Sequence, residues 1–252
     1  MAGALYLVPT LLGPAGLSAS LPPAVLEIIR GLDGFVAENA KSARQFLKAV
    51  EYPAPLAQVA IAELNEHTPP SALPGLLAPV QAGQRIGVLS EAGCPGVADP
   101  GAALIALAHG ERLRVVPLVG PSSLLLALMA SGLNGQRFCF HGYLPVERDA
   151  CARKLKELEA ESAAAHSAHL FIEAPYRNAK LLDTLLHTCR DDTLVCLATE
   201  LTQAGEEVAT RTVAQWRGTT PDLQRRPTVF VLQAAPGPGS AAAAVGAPRQ
   251  RR

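Results

Sequence analysis

Short apolar runs that end in turn-forming residues punctuate the chain, at 4–9, 85–90, 114–119, 169–173, 193–198 and 228–232. Near-continuous apolar runs of this length are expected of strands buried on both faces. Between them the spacing changes to that of helices: 23–31, with Val25, Leu26, Ile28 and Ile29, then 102–108, 122–131, 148–162 and 178–190. In the last of these, Leu181, Leu182, Leu185 and Leu186 form a core-facing stripe. Strand and helix alternate, so the predicted class is α/β.

The pattern breaks in two places. Residues 68–79 hold Pro69, Pro70, Pro74 and Pro79 and are read as a stiff connection. Residues 138–145, followed by the charged stretch 147–153, are read as the passage between two domains, 1–138 and 139–235. From 236 to 252 the chain is PGPGSAAAAVGAPRQRR, without a packing pattern and expected to be a disordered tail.

Composition changes this picture little but excludes several classes. A hydrophobic content of 49% over 252 residues is enough for one large core or two moderate ones. Lys plus Arg and Asp plus Glu are 22 each, so no overall field draws the protein to nucleic acid or to an anionic membrane. The cations that could form a local basic patch are Arg148, Arg153, Lys154 and Lys156, with Arg225 and Arg226 and the tail's Arg249, Arg251 and Arg252. Five cysteines without a Cys-x-x-Cys pair argue against a disulfide framework and a zinc site, and fit a reducing, cytoplasmic setting. No stretch reaches the roughly 18 to 20 apolar residues that span a bilayer, and no signal peptide is visible, so a soluble protein is expected. His166 and His169 have near-ligand spacing but are read as a surface turn, with no metal role.

Candidate chemistry then rests on strand-end loops rich in small residues: 9–14, the stretch SEAGCPGVADPG at 90–101, 120–123 and 227–228. In an open α/β sheet, ligands sit at the carboxyl ends of strands, where glycine lets the backbone come close. Neither G-x-x-x-x-G-K-[ST] nor a strand-borne G-x-G-x-x-G is present. Each loop taken alone is also an ordinary turn.

Their order is more specific. ALYLVPTLLG, VLSEAGCPGVADPG, RVVPLVGPSSLLLALMASGL, RFCFHGYLP, FIEAPYRN, ATELTQ and RRPTVFVLQ follow one another over about residues 4–232. This succession resembles the tetrapyrrole methylase superfamily, and within it the branch that methylates a cytidine ribose 2′-hydroxyl in small-subunit ribosomal RNA. The resemblance implies a two-domain α/β fold with S-adenosylmethionine in a cleft between the domains, a homodimer, and small-subunit rRNA or a ribosomal particle as partner. It also implies that Pro9, Ser90, Glu91, Ala92, Gly93, Gly120, Pro121, Ser122 and Ser123 bind the cofactor, with Tyr143, Leu144, Glu200, Leu201, Thr202, Pro227 and Thr228.

On the acceptor side the family's A-E-D-T-R segment corresponds to Ala37-Glu38-Asn39-Ala40-Lys41, and its E-x-x-x-R block to Glu173 and Arg177. Glu38, Asn39, Lys41 and Arg177 are therefore the catalytic candidates. The family's Asp is Asn39 here, and an amide does not take up a proton at neutral pH. His141 stands where the family often has Glu, and the first loop lacks the family's Asn-Leu-acid run. Glu38 and Lys41 also have the spacing of an exposed i, i+3 helix pair, Arg177 that of a structural bridge to Glu173, and Cys94 reads as a small filler. Two other readings stay open: a methylase of a tetrapyrrole or other small molecule, disfavoured by the missing G-x-G-P-G-D loop, and a catalytically decayed RNA-binding or scaffold protein.

Overall fold

The structure, a computed structural model, describes residues 3–14, 16–219 and 221–235. The expected tail at 236–252, with Arg249, Arg251 and Arg252, lies outside them. The described residues divide into two compact units: those up to 122 with 202–204, and those of 123–201 with 205–235.

In the first unit β1 (Ala4–Val8), β2 (Gly34–Ala37), β3 (Ile61–Glu63), β4 (Arg85–Leu89) and β5 (Arg114–Pro117) form a parallel sheet in the order β3-β2-β4-β1-β5. The helices are α1 (Leu17–Ser20), α2 (Pro23–Arg30), α3 (Ala40–Ala49), α4 (Leu73–Gln81) and α5 (Gly101–Gly110). Strand alternation sends neighbours to opposite faces: Phe35 and Leu89 pack with Ile29 of α2 and Leu47 of α3, whereas Val36 and Val88 pack with Leu77 of α4 and Leu104 of α5. Both faces are thus covered, which is why the strands read as unbroken apolar runs.

The reading of 68–79 as a stiff connection is corrected, because Leu73–Gln81 is α4. Pro70 opens a short 3-10 turn and Pro74 sits in the first helical turn, where no intrahelical N–H bond is lost. Pro79 lies inside the helix. It would have to bond the carbonyl of Gly75, next to the helix start, so only one backbone bond is forfeited.

In the second unit β6 (Phe138–Tyr143), β7 (Ala168–Ile172), β8 (Leu194–Thr199), β9 (Glu207–Thr212) and β10 (Thr228–Gln233) form a mixed sheet in the order β6-β7-β10-β8-β9. β6 and β7 are parallel and the other pairs antiparallel. Residues 138–143, read from sequence as a passage, form this sheet's edge strand. α7 (Arg148–Ala165), α8 (Asn178–Thr188) and α9 (Val213–Arg217) supply Leu155, Leu158, Leu182, Leu185 and Trp216 to a core closed by the Phe171 and Phe230 rings, 5.6 Å apart. α6 (Ser123–Ser131) packs against β8, β9 and β10.

Candidate functional site

The chemistry of the first unit gathers at the carboxyl ends of β1, β2 and β4. Thr10, just past β1, donates its N–H to Gly93 O at 2.9 Å and its hydroxyl to Ser90 O at 3.2 Å. The Ser90 hydroxyl is directed at the carbonyls of Ala92 and Gly93, at 3.4 and 3.3 Å. Further along, the Asp99 carboxylate accepts from Gly96 N at 2.9 Å and Gly101 N at 2.8 Å, folding the loop back into α5. Gly93 and Gly96 have φ of +75° and +84°, in the left-handed region that glycine enters without a side-chain clash. SEAGCPGVADPG is therefore a loop wound on its own polar side chains.

Gly120 has a different reason to be glycine. A Cβ there would lie 2.2 Å from Cγ of Pro9, so the two predicted cofactor loops meet at this point. Pro121 is buried, and its carbonyl receives the Cys94 thiol at 3.4 Å, with burial raising that thiol's pKa. Ser122 closes the first unit and Ser123 opens α6 of the second.

Glu38 follows β2 and is half-buried, and Asn39 is the N-cap of α3. The Asn39 Oδ1 accepts from Lys41 N at 2.8 Å and from Ser42 N at 3.3 Å. A carboxylate oxygen or an amide oxygen can make these bonds equally, which accounts physically for Asn in place of Asp. Lys41 is exposed in the first turn, and Glu38 precedes the helix, so the i, i+3 helix pair is not formed. Glu38 Oε1 instead accepts the N–H of Glu91 at 3.1 Å, and Glu91 Oε1 accepts the Ser42 hydroxyl at 2.6 Å. Burial raises the Glu38 pKa, the Glu91 N–H opposes this, and the carboxylates of Asp99 and Glu91 add to it.

Glu38, Ser42, Ser90 and Glu91 line a cavity of about 330 Å³, together with Thr10 and Phe46. Ser42 and Thr10 were not singled out from sequence. The available signals were a hydroxyl directly after a strand and a serine one helical turn beyond Glu38.

In the second unit Tyr143 ends β6 and is exposed, whereas the Leu144 side chain is in the core at 4% exposure. Glu200 has φ +49°, donates its N–H to Pro227 O at 2.8 Å, and its carboxylate meets Arg226 at 3.0 Å. Arg226 also donates to Gly205 O at 2.7 Å, and its own carbonyl accepts from Asn178 Nδ2 and Thr228 Oγ1 at 2.7 and 3.0 Å. One arginine thus fixes Glu200 and the 227–228 turn together. Leu201 and Thr228 are buried, and Thr202, which groups with the first unit, has φ +68°.

Arg177 donates to Glu173 Oε1 at 2.6 Å, with the Glu173 side chain only 6% exposed, so the E-x-x-x-R block is an internal ion pair. The surface-turn reading of the histidine pair is corrected for His169, which is buried in β7. It bonds His141 at 2.8 Å, while His166 caps α7 with φ +52°. No metal-holding cluster occurs among the described residues.

No family model matches the chain. Ribosomal RNA small subunit methyltransferase I of Escherichia coli is 33% identical over 206 residues, covering 82% of this chain and 68% of that protein. The protein of that name from Mesorhizobium japonicum is 35% identical over 210 residues, covering 83% and 67%. The chain belongs to the ribosomal RNA small subunit methyltransferase I family. Among solved structures, the methyltransferase CobJ is similar with a TM-score of 0.60 at 19% identity, covering 93% of this chain and 95% of that one. Uroporphyrin-III-C-methyltransferase from Thermus thermophilus follows at 0.54 and 19%, covering 92% and 93%. These two likenesses show that this member of the methyltransferase I family has the tetrapyrrole methylase fold.

Proposed function

We propose that this protein transfers a methyl group from S-adenosylmethionine to a ribose 2′-hydroxyl of small-subunit ribosomal RNA, with Glu38 as the base that receives the hydroxyl proton. The observation that carries the reading is the Glu38 carboxylate itself: half-buried, held by the Glu91 N–H, raised in pKa and lining a 330 Å³ cavity. A carboxylate whose pKa is moved upward toward the working pH is a better proton acceptor in the transition state. Asn39 caps α3 and keeps the adjoining Glu38 in place, and Ser42 orients Glu91.

The lining suits the cofactor. Two carboxylates favour a positively charged sulfonium, the hydroxyls of Thr10, Ser42 and Ser90 suit ribose and carboxylate groups, and Phe46 offers an apolar wall. On the first unit, Ser90, Glu91, Ala92 and Gly93, with Pro9, Gly120, Pro121 and Ser122, would hold it. When bound, it supplies a methyl group activated on a positively charged sulfur. The protein's remaining task is to hold the ribose hydroxyl at near-attack distance, where orientation alone lowers the barrier substantially.

The homodimer expected from the resemblance is supported by the outward face of α6, where Leu125 and Met129 are 52% and 78% exposed. No helix among the described residues is long and apolar enough to cross a membrane, and the five cysteines are free, in keeping with a cytoplasmic site of action. The test is labelled methyl transfer from S-adenosylmethionine to small ribosomal subunits from a strain lacking its own ribose methylase. Label in one nucleotide, resistant to alkaline cleavage at its 3′ side, is the expected result. Label on a base, or none despite bound cofactor, overturns the reading.

A further inference from the structure

One end of the second unit carries an exposed aromatic ring among cations that the site described above does not use. Tyr176 stands in the 3-10 turn Pro175–Arg177 directly after β7 and is 71% exposed, among the most exposed large apolar side chains described. Its ring is not loose. The Arg177 guanidinium lies 5.6 Å from the ring centroid and is itself held by Glu173 in a part-buried ion pair, so the ring has a cation partner of fixed position.

Arg177 meets this ring, and three more cations stand on neighbouring segments. Arg148, Arg177 and Lys180 line one shallow depression beside Val146, and Arg225 is tied to the Tyr176 turn by its N–H, which donates to Pro175 O at 3.2 Å. Two carboxylates answer them: Glu173 on Arg177, and Asp183 on Arg148 at 3.2 Å. Neighbouring Arg226 is occupied by Glu200 and Glu207, and Asp222 lies beside it. Lys180 and Arg225 are exposed and in no ion pair among the described residues. A chain that is neutral overall thus leaves Lys180 and Arg225 without an ion-pair partner, among the described residues, on the segments next to Tyr176.

We propose that this end of the second unit docks an unpaired RNA segment, with Tyr176 stacking on one base and Lys180 and Arg225 meeting the phosphates on either side. The inference rests on the ribosomal RNA reading above and adds where the RNA is gripped apart from the reacting nucleotide. Unstacked bases are recognised by aromatic faces and arginine planes, and their backbone by cations. A protein partner fits less well, because only Tyr143, Val146 and Tyr176 are large exposed apolar side chains at this end, far from the roughly 800 Å² per partner of a stable protein interface.

The test uses the full chain with a fluorescent twelve-nucleotide single-stranded RNA of mixed sequence, and in parallel the methylation assay on small subunits. Tyr176→Leu is expected to weaken binding of the RNA roughly tenfold, and Tyr176→Phe to restore it, since stacking needs the ring and not the hydroxyl. Lys180→Ala and Arg225→Ala are each expected to flatten the salt dependence by about 0.7 in log–log slope. In methylation, Tyr176→Leu should raise KM with kcat unchanged. Equal RNA binding and equal KM for Tyr176→Leu and the unaltered protein overturn the inference while leaving the methyl-transfer reading intact. Tyr176-dependent RNA binding without any methyl transfer does the reverse. Weakened binding to whole subunits with unchanged binding to naked RNA assigns the face to a protein and also overturns it.

Discussion

The backbone N–H of Glu91 donates to Oε1 of Glu38 at 3.1 Å, tying the second residue after β4 to the residue that follows β2. The bond fixes a carboxylate whose remaining surroundings push its pKa up, through burial and the charges of Asp99 and Glu91. Glu38→Gln retains an oxygen for the Glu91 N–H and loses the proton acceptor. Methyl transfer should fall by about 10²- to 10⁴-fold in kcat, the usual share of a general base, with the urea midpoint unchanged or higher because a half-buried charge is removed. Activity within twofold of the unaltered protein would exclude Glu38 as the base.

The same surroundings make the pH profile a sharper test than the rate alone. Asp99→Asn keeps the Oδ1 that accepts from Gly96 and Gly101 and removes one of the charges raising Glu38. Glu38 must be ionised to act, so activity rises with pH through its pKa in the unaltered protein. In Asp99→Asn that rising limb should move to lower pH, with the plateau little changed. A limb that stays put would mean that another group titrates.

Asn39 separates capping from catalysis. Asn39→Ala removes both bonds to the first turn of α3 and should cost about 1 kcal/mol of stability. Asn39→Asp should keep the cap and its stability, while a further carboxylate next to Glu38 moves the rising limb of the pH profile upward. Urea denaturation of the two variants reads the first effect, and the pH–rate profile the second.

How much of this could be read from the chain depended on burial. β1, β4 and β10 were legible because both their faces are covered and their positions are mostly apolar. β2, only Gly34–Ala37, is too short to show a pattern, and β9 holds Glu207, Thr210 and Thr212 along a sheet edge. α4 was obscured by Pro74 and Pro79, whose cost depends on their place within a helix that sequence does not reveal. Glu38 was found through family resemblance alone. Its bond to Glu91, 53 residues away, exists only because β2 and β4 are neighbours in the sheet.

Gly120 offers a test of why the small residues are there. The 2.2 Å approach of an added methyl group to Pro9 is set by a backbone segment and a proline ring, neither of which can yield like a flexible side chain. Gly120→Ala should therefore destabilise by roughly 2 kcal/mol, within the usual range for overpacking. The denaturation midpoint measures it, and a neutral outcome would show that the 9–14 and 120–123 loops have room to part.

The His141 and His169 rings are stacked 5.0 Å apart, with Nε2 of one and Nδ1 of the other sharing a proton at 2.8 Å, and the Ser167 hydroxyl 3.0 Å from His169 Nε2. Burial depresses both pKa values, with Lys154 acting in the same sense and Glu161 against it; each ring also lies next to the other, which lowers His169 further. Below pH 6.5 the unfolded chain therefore takes up protons that the folded one refuses, and the folded state loses stability as pH falls toward the depressed values. Above 6.5 this contribution is complete and flat. Glu38 works in the opposite direction, since a raised carboxyl binds its proton first in the folded state, so the measurement belongs in the Glu38→Gln background. Urea midpoints there should be constant from about pH 8 to 7 and decline from about 6.5 downward, while ring NMR signals of His141 and His169 remain those of neutral imidazole. Protonation of either ring above pH 6.5 would contradict the buried, mutually bonded pair.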